Sequence, residues 1–301
     1  MEIDWKKITI EDRALIEHYY EREQSMSCEF SFANNLLWAP YYEIRFALLH
    51  DCLVFLSSAN LHSVSYPLGR GDVKGAVEEL SARFAEKGLP FRMHLVTPQQ
   101  YAHLMELFPM RFQIVYDRDA ADYVYDAEKL RTLAGKKLHA KRNHINKFQQ
   151  EHPDWSFERI DGHNVEECME MAREWGRKNA VNEDWEKSAE FDITFRALRQ
   201  REELKLEGGL IRAEGRVVAF SLGEPCNRET YVVHIEKAFS DVQGAYTIMN
   251  QQFVEQIAAG YRYINREEDT GAEGLRKAKL SYYPDLMVEK GLVTERPDMQ
   301  I

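Results

Sequence analysis

Cysteine is scarce in this chain. Its four cysteines, Cys28, Cys52, Cys168 and Cys226, are scattered and form no CxxC pair. That scatter excludes a sequence-readable zinc site or disulfide framework and leaves reduced thiols as the expectation. Long apolar runs are absent too, none approaching the roughly 18 residues that read as a membrane-spanning helix. The start, Met1-Glu2-Ile3-Asp4-Trp5-Lys6-Lys7, has acids and no apolar segment of a secretory signal. Positive charge is outnumbered: 39 Lys and Arg stand against 50 Asp and Glu, a formal net charge of -11. Bulk attraction to nucleic acid or an anionic membrane is therefore not expected, although a local basic patch can exist. No low-complexity tract or evident linker breaks the chain. These absences describe a soluble, cytoplasmic protein with no metal site.

What is present suits a folded core. Apolar residues make up 44% and aromatics 12% of 301 residues, enough for two domains. Helix signals lie at Ile10–Glu23, after Asp72 (Val73, Val77, Leu80 and Phe84 at helical spacing, Gly88 as stop), and after Thr97-Pro98. A hairpin reads at Tyr42–Leu49 and Cys52–Ser57, with strands at Phe91–Val96, Phe112–Tyr116 and Tyr123–Tyr125. The second half opens on a basic helix, Lys136–Gln150, ended by Pro153. Then come a strand at Trp155–Ile160, helices at Val165–Asn179 and Ser188–Glu203, and a hairpin turning at Glu214-Gly215. A strand at Thr230–Lys237, a helix at Ala245–Ala259 and a strand at Tyr261–Asn265 close the series. The boundary falls near 126–136, giving domains 1–130 and 131–301.

Chemistry concentrates toward the C-terminus. The strand Tyr261–Asn265 runs into Arg266, Glu267, Glu268 and Asp269. A strand ending in alternating charges builds either a site or a surface ion-pair network. In the β-α-β crossover of Thr230–Asn265 the two strands lie parallel, so His234 and Glu236, on one face of the first, can meet Asn265, Arg266 and Glu267. Amine acylation needs a base and a donor to the carbonyl oxyanion. Glu236, Glu267 or His234 can be that base, and Arg266 can hold a carboxylate or phosphate with two bonds. A satisfied core histidine accounts for His234 equally well. Further on, Gly274-Leu275-Arg276-Lys277-Ala278-Lys279 gathers three cations ahead of Tyr282-Tyr283. The acid-free helix Lys136–Lys147 puts Lys141 on its apolar stripe beside Arg142, the best local candidate for an anionic ligand. Pro67-Leu68-Gly69-Arg70-Gly71-Asp72 reads as a degenerate phosphate loop, on weak evidence, and Phe30–Trp38 as core packing or the lining of an interdomain cleft.

The element order β-α-α-β-β-β-α-β resembles that of the Gcn5-related N-acetyltransferase (GNAT) superfamily. Gly135–Phe148, Val233-His234-Ile235-Glu236-Lys237-Ala238, Ile264–Asp269 and Gly274–Lys279 together resemble an uncharacterised bacterial family. That family is similar to the soluble C-terminal domain of phosphatidylglycerol lysyltransferases and to Fem-type peptidyltransferases. The resemblance implies an α/β (α+β) fold of two tandem GNAT-like acyltransferase domains, each a mixed twisted sheet flanked by helices. It implies no particular reaction for this branch, but the relatives move amino acids from tRNA to a lipid or a cell-wall precursor, and aminoacyl-tRNA is the donor expected here from the basic segments and the departure of the acyl-CoA loop from its pattern. Tyr282 or Tyr283 then protonates a leaving group, and Lys141, Arg142, Asn265, Arg266, Arg276, Lys277 and Lys279 bind donor or substrate. GNAT enzymes hold acyl-CoA on a glycine loop opening a helix. Gln243, Gly244, Ala245 and Tyr246 occupy that place here, but Asp241 stands where the pattern has Gln or Arg, an adverse charge beside a pyrophosphate. The expectation is an aminoacyl or acyl transferase with an amine acceptor and its site in the C-terminal domain. Its rivals are an acyl-CoA enzyme and a catalytically silent ligand- or RNA-binding module.

Overall fold

The structure, a computed structural model, describes residues 2–59, 62–179 and 185–297, the side chains of 185–187 excepted. In chain order the elements are β1 (Lys6–Lys7), α1 (Arg13–Glu23), α2 (Phe32–Tyr42), β2 (Arg45–Leu49), β3 (Cys52–Ser57), β4 (Ser63–Val64), α3 (Val73–Glu86), β5 (Arg92–Val96), α4 (Pro98–Leu107), β6 (Phe112–Tyr116), β7 (Asp122–Asp126) and α5 (Ala127–Thr132). There follow α6 (His139–Glu151), β8 (Ser156–Arg159), α7 (Val165–Lys178), α8 (Trp185–Arg199), β9 (Glu207–Ala213), β10 (Arg216–Pro225), β11 (Thr230–Ala238), α9 (Ala245–Gln256), β12 (Tyr263–Asn265), α10 (Glu273–Leu280), β13 (Leu286–Val288) and β14 (Gly291–Glu295). Among the described residues, no helix is long and apolar enough to cross a membrane.

Two seven-stranded mixed sheets result, ordered β1-β2-β3-β4-β5-β14-β6 and β13-β7-β12-β11-β10-β9-β8. The chain divides into two compact units. One holds Met1–Asp122, Glu268–Lys277 and Met287–Ile301; the other holds Tyr123–Glu267 and Ala278–Leu286. Local signals set many boundaries. Asp72 caps α3 by accepting the Gly75 N–H at 2.9 Å, and Thr97 with Gln100 forms a reciprocal capping box on α4. The Glu214-Gly215 turn takes positive φ at both residues, the geometry of a tight hairpin.

Three segments have structure that the sequence reading did not assign. Phe32–Tyr42 is a helix despite Pro40, with Phe32, Ala33, Asn35 and Leu37 buried on one face. Glu273–Leu280 is a helix. Gly291–Glu295 enters the first sheet between β5 and β6, pairing antiparallel with both. The glycines of the Pro67–Asp72 loop answer to packing. A Cβ on Gly71 would stand 2.1 Å from the His50 carbonyl oxygen, and one on Gly69 2.8 Å from the Tyr19 ring.

The first unit encloses a buried lysine. Lys290, just before β14, places Nζ 2.7 Å from Asp122 Oδ1 and 2.7 Å from Glu29 Oε1. Glu268 lies at 3.9 Å and the Cys28 sulfur at 3.5 Å. Cys28, Glu29 and Asp122 are near enough to one another to ligate a metal, but the ammonium already fills the space they enclose. Burial pulls the lysine pKa down, yet the carboxylates outweigh it and hold it well above the ordinary range. Burial and the same carboxylates push the Cys28 thiol well up, so it stays protonated. Lys290→Met would leave these acids uncompensated. Urea unfolding of that variant is expected to show a loss of about 3–5 kcal/mol; a loss under about 1 kcal/mol would mean the cluster is not held by this charge.

Candidate functional site

The site starts where two parallel strands part. β11 and β12 pair over three residues only, Thr230↔Tyr263, Tyr231↔Ile264 and Val232↔Asn265. β11 continues to Ala238, while the chain after Asn265 turns toward β7, with the Arg266 N–H bonding the Tyr123 carbonyl. Glu267 adopts φ +59 to make that turn, and the Asn265 side chain accepts the Glu267 N–H at 2.6 Å. Non-glycine residues rarely take such angles outside tight, over-determined sites. Side chains fill the gap that the lost ladder leaves.

Glu236 and Arg266 form the first bridge across it. Arg266 Nη2 donates to Glu236 Oε1 at 2.8 Å, with the two side chains 11% and 14% exposed. Tyr282, buried, lies 5.0 Å from the Arg266 guanidinium and 4.0 Å from Lys141 Nζ, ring centre to cation. Thr247 on α9 hydrogen-bonds the Tyr282 hydroxyl, whose pKa burial raises. Burial first, then the Arg266 charge, pull Lys141 down to about 8 against the opposing effect of Glu236. Asn250, one turn beyond Thr247, donates to Glu236 Oε2 at 3.4 Å. Ser221 stands directly opposite Glu236 in the antiparallel β10–β11 pair, which brings their side chains within about 5.5 Å at Cβ. Three polar atoms of this group, Ser221 Oγ, Asn250 Oδ1 and Arg266 Nη1, are buried and have no hydrogen-bond partner among the described residues. Buried unpaired groups are costly, and here three of them gather around one carboxylate.

His234 makes the second bridge. The β10–β11 register slips at Leu222/Gly223, so His234 has no residue opposite it. Gly223 permits the slip, since a Cβ there would stand 2.2 Å from the Val232 carbonyl oxygen. The imidazole lies between Glu267 Oε1 at 2.6 Å and Glu224 Oε1 at 3.1 Å. Burial opposes its charge, but the two carboxylates raise its pKa to about 10. At neutral pH it is an imidazolium with both N–H groups engaged. It has no lone pair to take a proton, so the geometry gives it a positioning part and not that of a base.

The phosphatidylglycerol lysyltransferase C-terminal family matches residues 20–293. The chain belongs to that family. A protein of unknown function from Bacteroides thetaiotaomicron is 38% identical, with a TM-score of 0.93 over 98% of this chain and 100% of that one. L-PGS from Bacillus licheniformis is 16% identical, with a TM-score of 0.65 over 99% and 95%. A tandem GNAT protein from the clavulanic acid biosynthesis pathway is 8% identical, with a TM-score of 0.50 over 98% of both chains. An uncharacterised protein of Mycoplasmoides gallisepticum is 24% identical over 189 residues; the match spans 60% of this chain and 58% of that relative's length. The fold is therefore two tandem GNAT-like domains, each a mixed sheet flanked by helices.

Of the residues expected to act together, the family fold gathers Lys141, His234, Glu236, Asn265, Arg266, Glu267 and Tyr282. Lys279 lies close by, but its buried ammonium is spent on the carbonyls of Arg266, at 2.7 Å, and Glu267, at 3.2 Å. Arg142 holds the chain before α6 through the carbonyls of Leu133 and Gly135. Arg276 belongs to the first unit, where it pairs with Asp269 and Asp119, and Lys277 is exposed. The loop expected to cradle acyl-CoA is packed from behind. Gly244 caps α9 at φ +87, and a Cβ there would lie 2.5 Å from the His144 carbonyl oxygen of α6. Gln243 accepts from Lys147, and the Tyr246 hydroxyl meets Trp175 Nε1 at 3.3 Å.

Sequence reasoning missed Ser221, Glu224, Thr247 and Asn250. Thr247 and Asn250 carried a signal, being polar residues at i, i+3 on the apolar face of α9. The His234 pair gives a test in pH. Its folded pKa lies above the unfolded value near 6.5, so its stabilisation is whole below about 6.5 and drains away as pH rises toward about 10. Unfolding free energies measured from pH 6 to 10 should fall for the native chain and flatten in His234→Gln; parallel curves would show that His234 is not the group titrating.

Proposed function

We propose that the chain transfers an aminoacyl group from aminoacyl-tRNA to an amine acceptor, using the Glu236–Arg266 site. The convergence of three partnerless buried polar atoms on Glu236 carries this reading. Ser221 Oγ, Asn250 Oδ1 and the Glu236 carboxylate offer acceptors suited to an α-ammonium group. Arg266 Nη1 offers a fixed donor to an ester carbonyl, whose oxygen gains charge as a nucleophile adds. An aminoacyl ester presents those two functions one carbon apart.

In this reading the acceptor nitrogen attacks the ester carbon, and its proton passes to Lys141, whose pKa of about 8 leaves part of it neutral near pH 7–8. Collapse of the adduct breaks the bond to the ribose oxygen, which takes a proton from Tyr282. Return of the proton from Lys141 to Tyr282, whose ring lies beneath the Lys141 ammonium, resets the site. His234, locked between Glu224 and Glu267, fixes the turn that aims Arg266. The exposed Lys136, Lys137 and Lys147 of the α6 region suit the phosphates of an RNA donor. Acyl-CoA is the second reading, and the packing of Gly244 against α6 together with Asp241 in the same loop weighs against it.

Fluorescence anisotropy with aminoacylated tRNA at two salt concentrations, with coenzyme A as competitor, tests the donor. Salt-sensitive binding that coenzyme A leaves intact is expected; displacement by coenzyme A would reverse the preference. Ser221→Ala separates site from scaffold. It removes an unpaired buried hydroxyl, so stability should hold or rise by about 1 kcal/mol, while donor affinity drops roughly tenfold, about 1.4 kcal/mol. Unchanged affinity in a stable variant would remove Ser221 from the site.

A further inference from the structure

Each sheet has two edges, and three of the four are guarded. β1 is two lysines long. β8 carries Glu158 and Arg159 in four residues, and β13 has only three residues, flanked by Asp285 and Glu289. Short or charged edges keep sheets from joining. β6 differs. It is the five-residue run Phe112-Gln113-Ile114-Val115-Tyr116, with no charge, proline or glycine, and pairs with β14 in an unbroken register from Gly291↔Tyr116 to Glu295↔Phe112. Val115 is 69% exposed, Tyr116 40% and the preceding Met110 59%.

The direction of its backbone groups follows from bonds at its two ends. The Arg296 N–H donates to the Arg111 carbonyl, and the Asp117 N–H to the Lys290 carbonyl. Odd-numbered residues thus face β14, and by the alternation of antiparallel strands Phe112, Ile114 and Tyr116 turn their N–H and C=O outward. The Phe112 carbonyl is taken by the Tyr101 hydroxyl at 3.2 Å and by Arg296 Nε at 3.1 Å. The outward groups of Ile114 and Tyr116 remain.

We propose that β6 pairs antiparallel with β6 of a second copy of this chain, about a two-fold axis at Ile114. The sequence is self-complementary in that register. Ile114 meets its own copy in a hydrogen-bonded pair, and the Phe112 N–H reaches the Tyr116 carbonyl of the other copy. Phe112 lies beside Tyr116 on one face and Gln113 beside Val115 on the other. Immediately outside the apolar run, Arg111 falls opposite Asp117 in both halves. Asp117 is exposed, and Arg111, though bound to Glu295 and Ser81 through Nε and Nη2, has no hydrogen bond on Nη1 among the described residues. Opposite charges placed symmetrically at the two ends fix both register and direction. The two first-unit sheets then run on as one sheet of fourteen strands. This inference is independent of the transfer reaction.

Light scattering coupled to size exclusion decides it, on the full chain. The native protein should have twice the 35.3 kDa chain mass. Val115→Lys, at an exposed position, should shift the mass to that of one chain at the same loading. Ile114→Pro removes an outward N–H without removing a hydrogen bond to β14, and should do the same; if it fails to fold, Val115→Lys alone decides. A native protein that runs as a single chain at every concentration overturns the proposal. So does a dimer that survives Val115→Lys, because the contact would then lie elsewhere.

Discussion

The early parting of β11 and β12 is the constraint from which the second unit's chemistry follows. Parallel strands that stay paired consume their backbone groups and leave no room between them. Here pairing stops at Val232 and Asn265, and the strands are tied instead by two ionic bridges, Glu236–Arg266 and His234–Glu267. Buried charges are expensive to desolvate and worth keeping only when partnered closely. Neither bridge is a cheap way to hold a core; apolar side chains would fill the same gap at less cost. The bridges are better understood as keeping charge available in a place sheltered from water, where its interactions are strong.

The two bridges are not equivalent. His234 has a carboxylate on each ring nitrogen, so its bonding is complete and its charge is fixed through the neutral range. Arg266 has one carboxylate and one free nitrogen, and Glu236 faces a serine and an asparagine that still have capacity. One bridge is closed and the other open. On the proposed function, that asymmetry suits the first to support and the second to ligand contact without appeal to residue type, since histidine by type alone is the commoner catalytic base.

Much of the second unit was legible because its signals are local. The Glu214-Gly215 hairpin, the basic helix and the β-α-β crossover all carry local signals, and the charges after Asn265 pointed to the residues that pair with β11. Three things were not legible. The register slip that frees His234 depends on Gly223 approaching Val232 across strands, which no periodicity reports. The partnering of Arg276 depends on Asp119, far back in the chain, and that of Lys279 on the carbonyls of Arg266 and Glu267, so a run of cations that looks like a patch in sequence is mostly consumed in folding. The entry of Gly291–Glu295 between β5 and β6 joins residues some 200 positions apart, as the pairing of Gly291 with Val96 shows.

The glycine loop before α9 shows why a motif needs its surroundings. In sequence, Gln243-Gly244-Ala245 reads as room for a pyrophosphate at a helix N-terminus, where backbone N–H groups and the helix dipole favour anions. In the fold, the missing Cβ of Gly244 makes room for the His144 carbonyl of α6, an electronegative atom, and Asp241 adds a carboxylate tied to Lys178 at 3.0 Å. Both changes make the same end less hospitable to a diphosphate. The basic groups lie instead along α6, which a long polyanion can follow but a single pyrophosphate need not. On the proposed function, such a site suits a donor with charge along its length and a small polar head at its tip, a description that an RNA ester meets more fully than a thioester of coenzyme A.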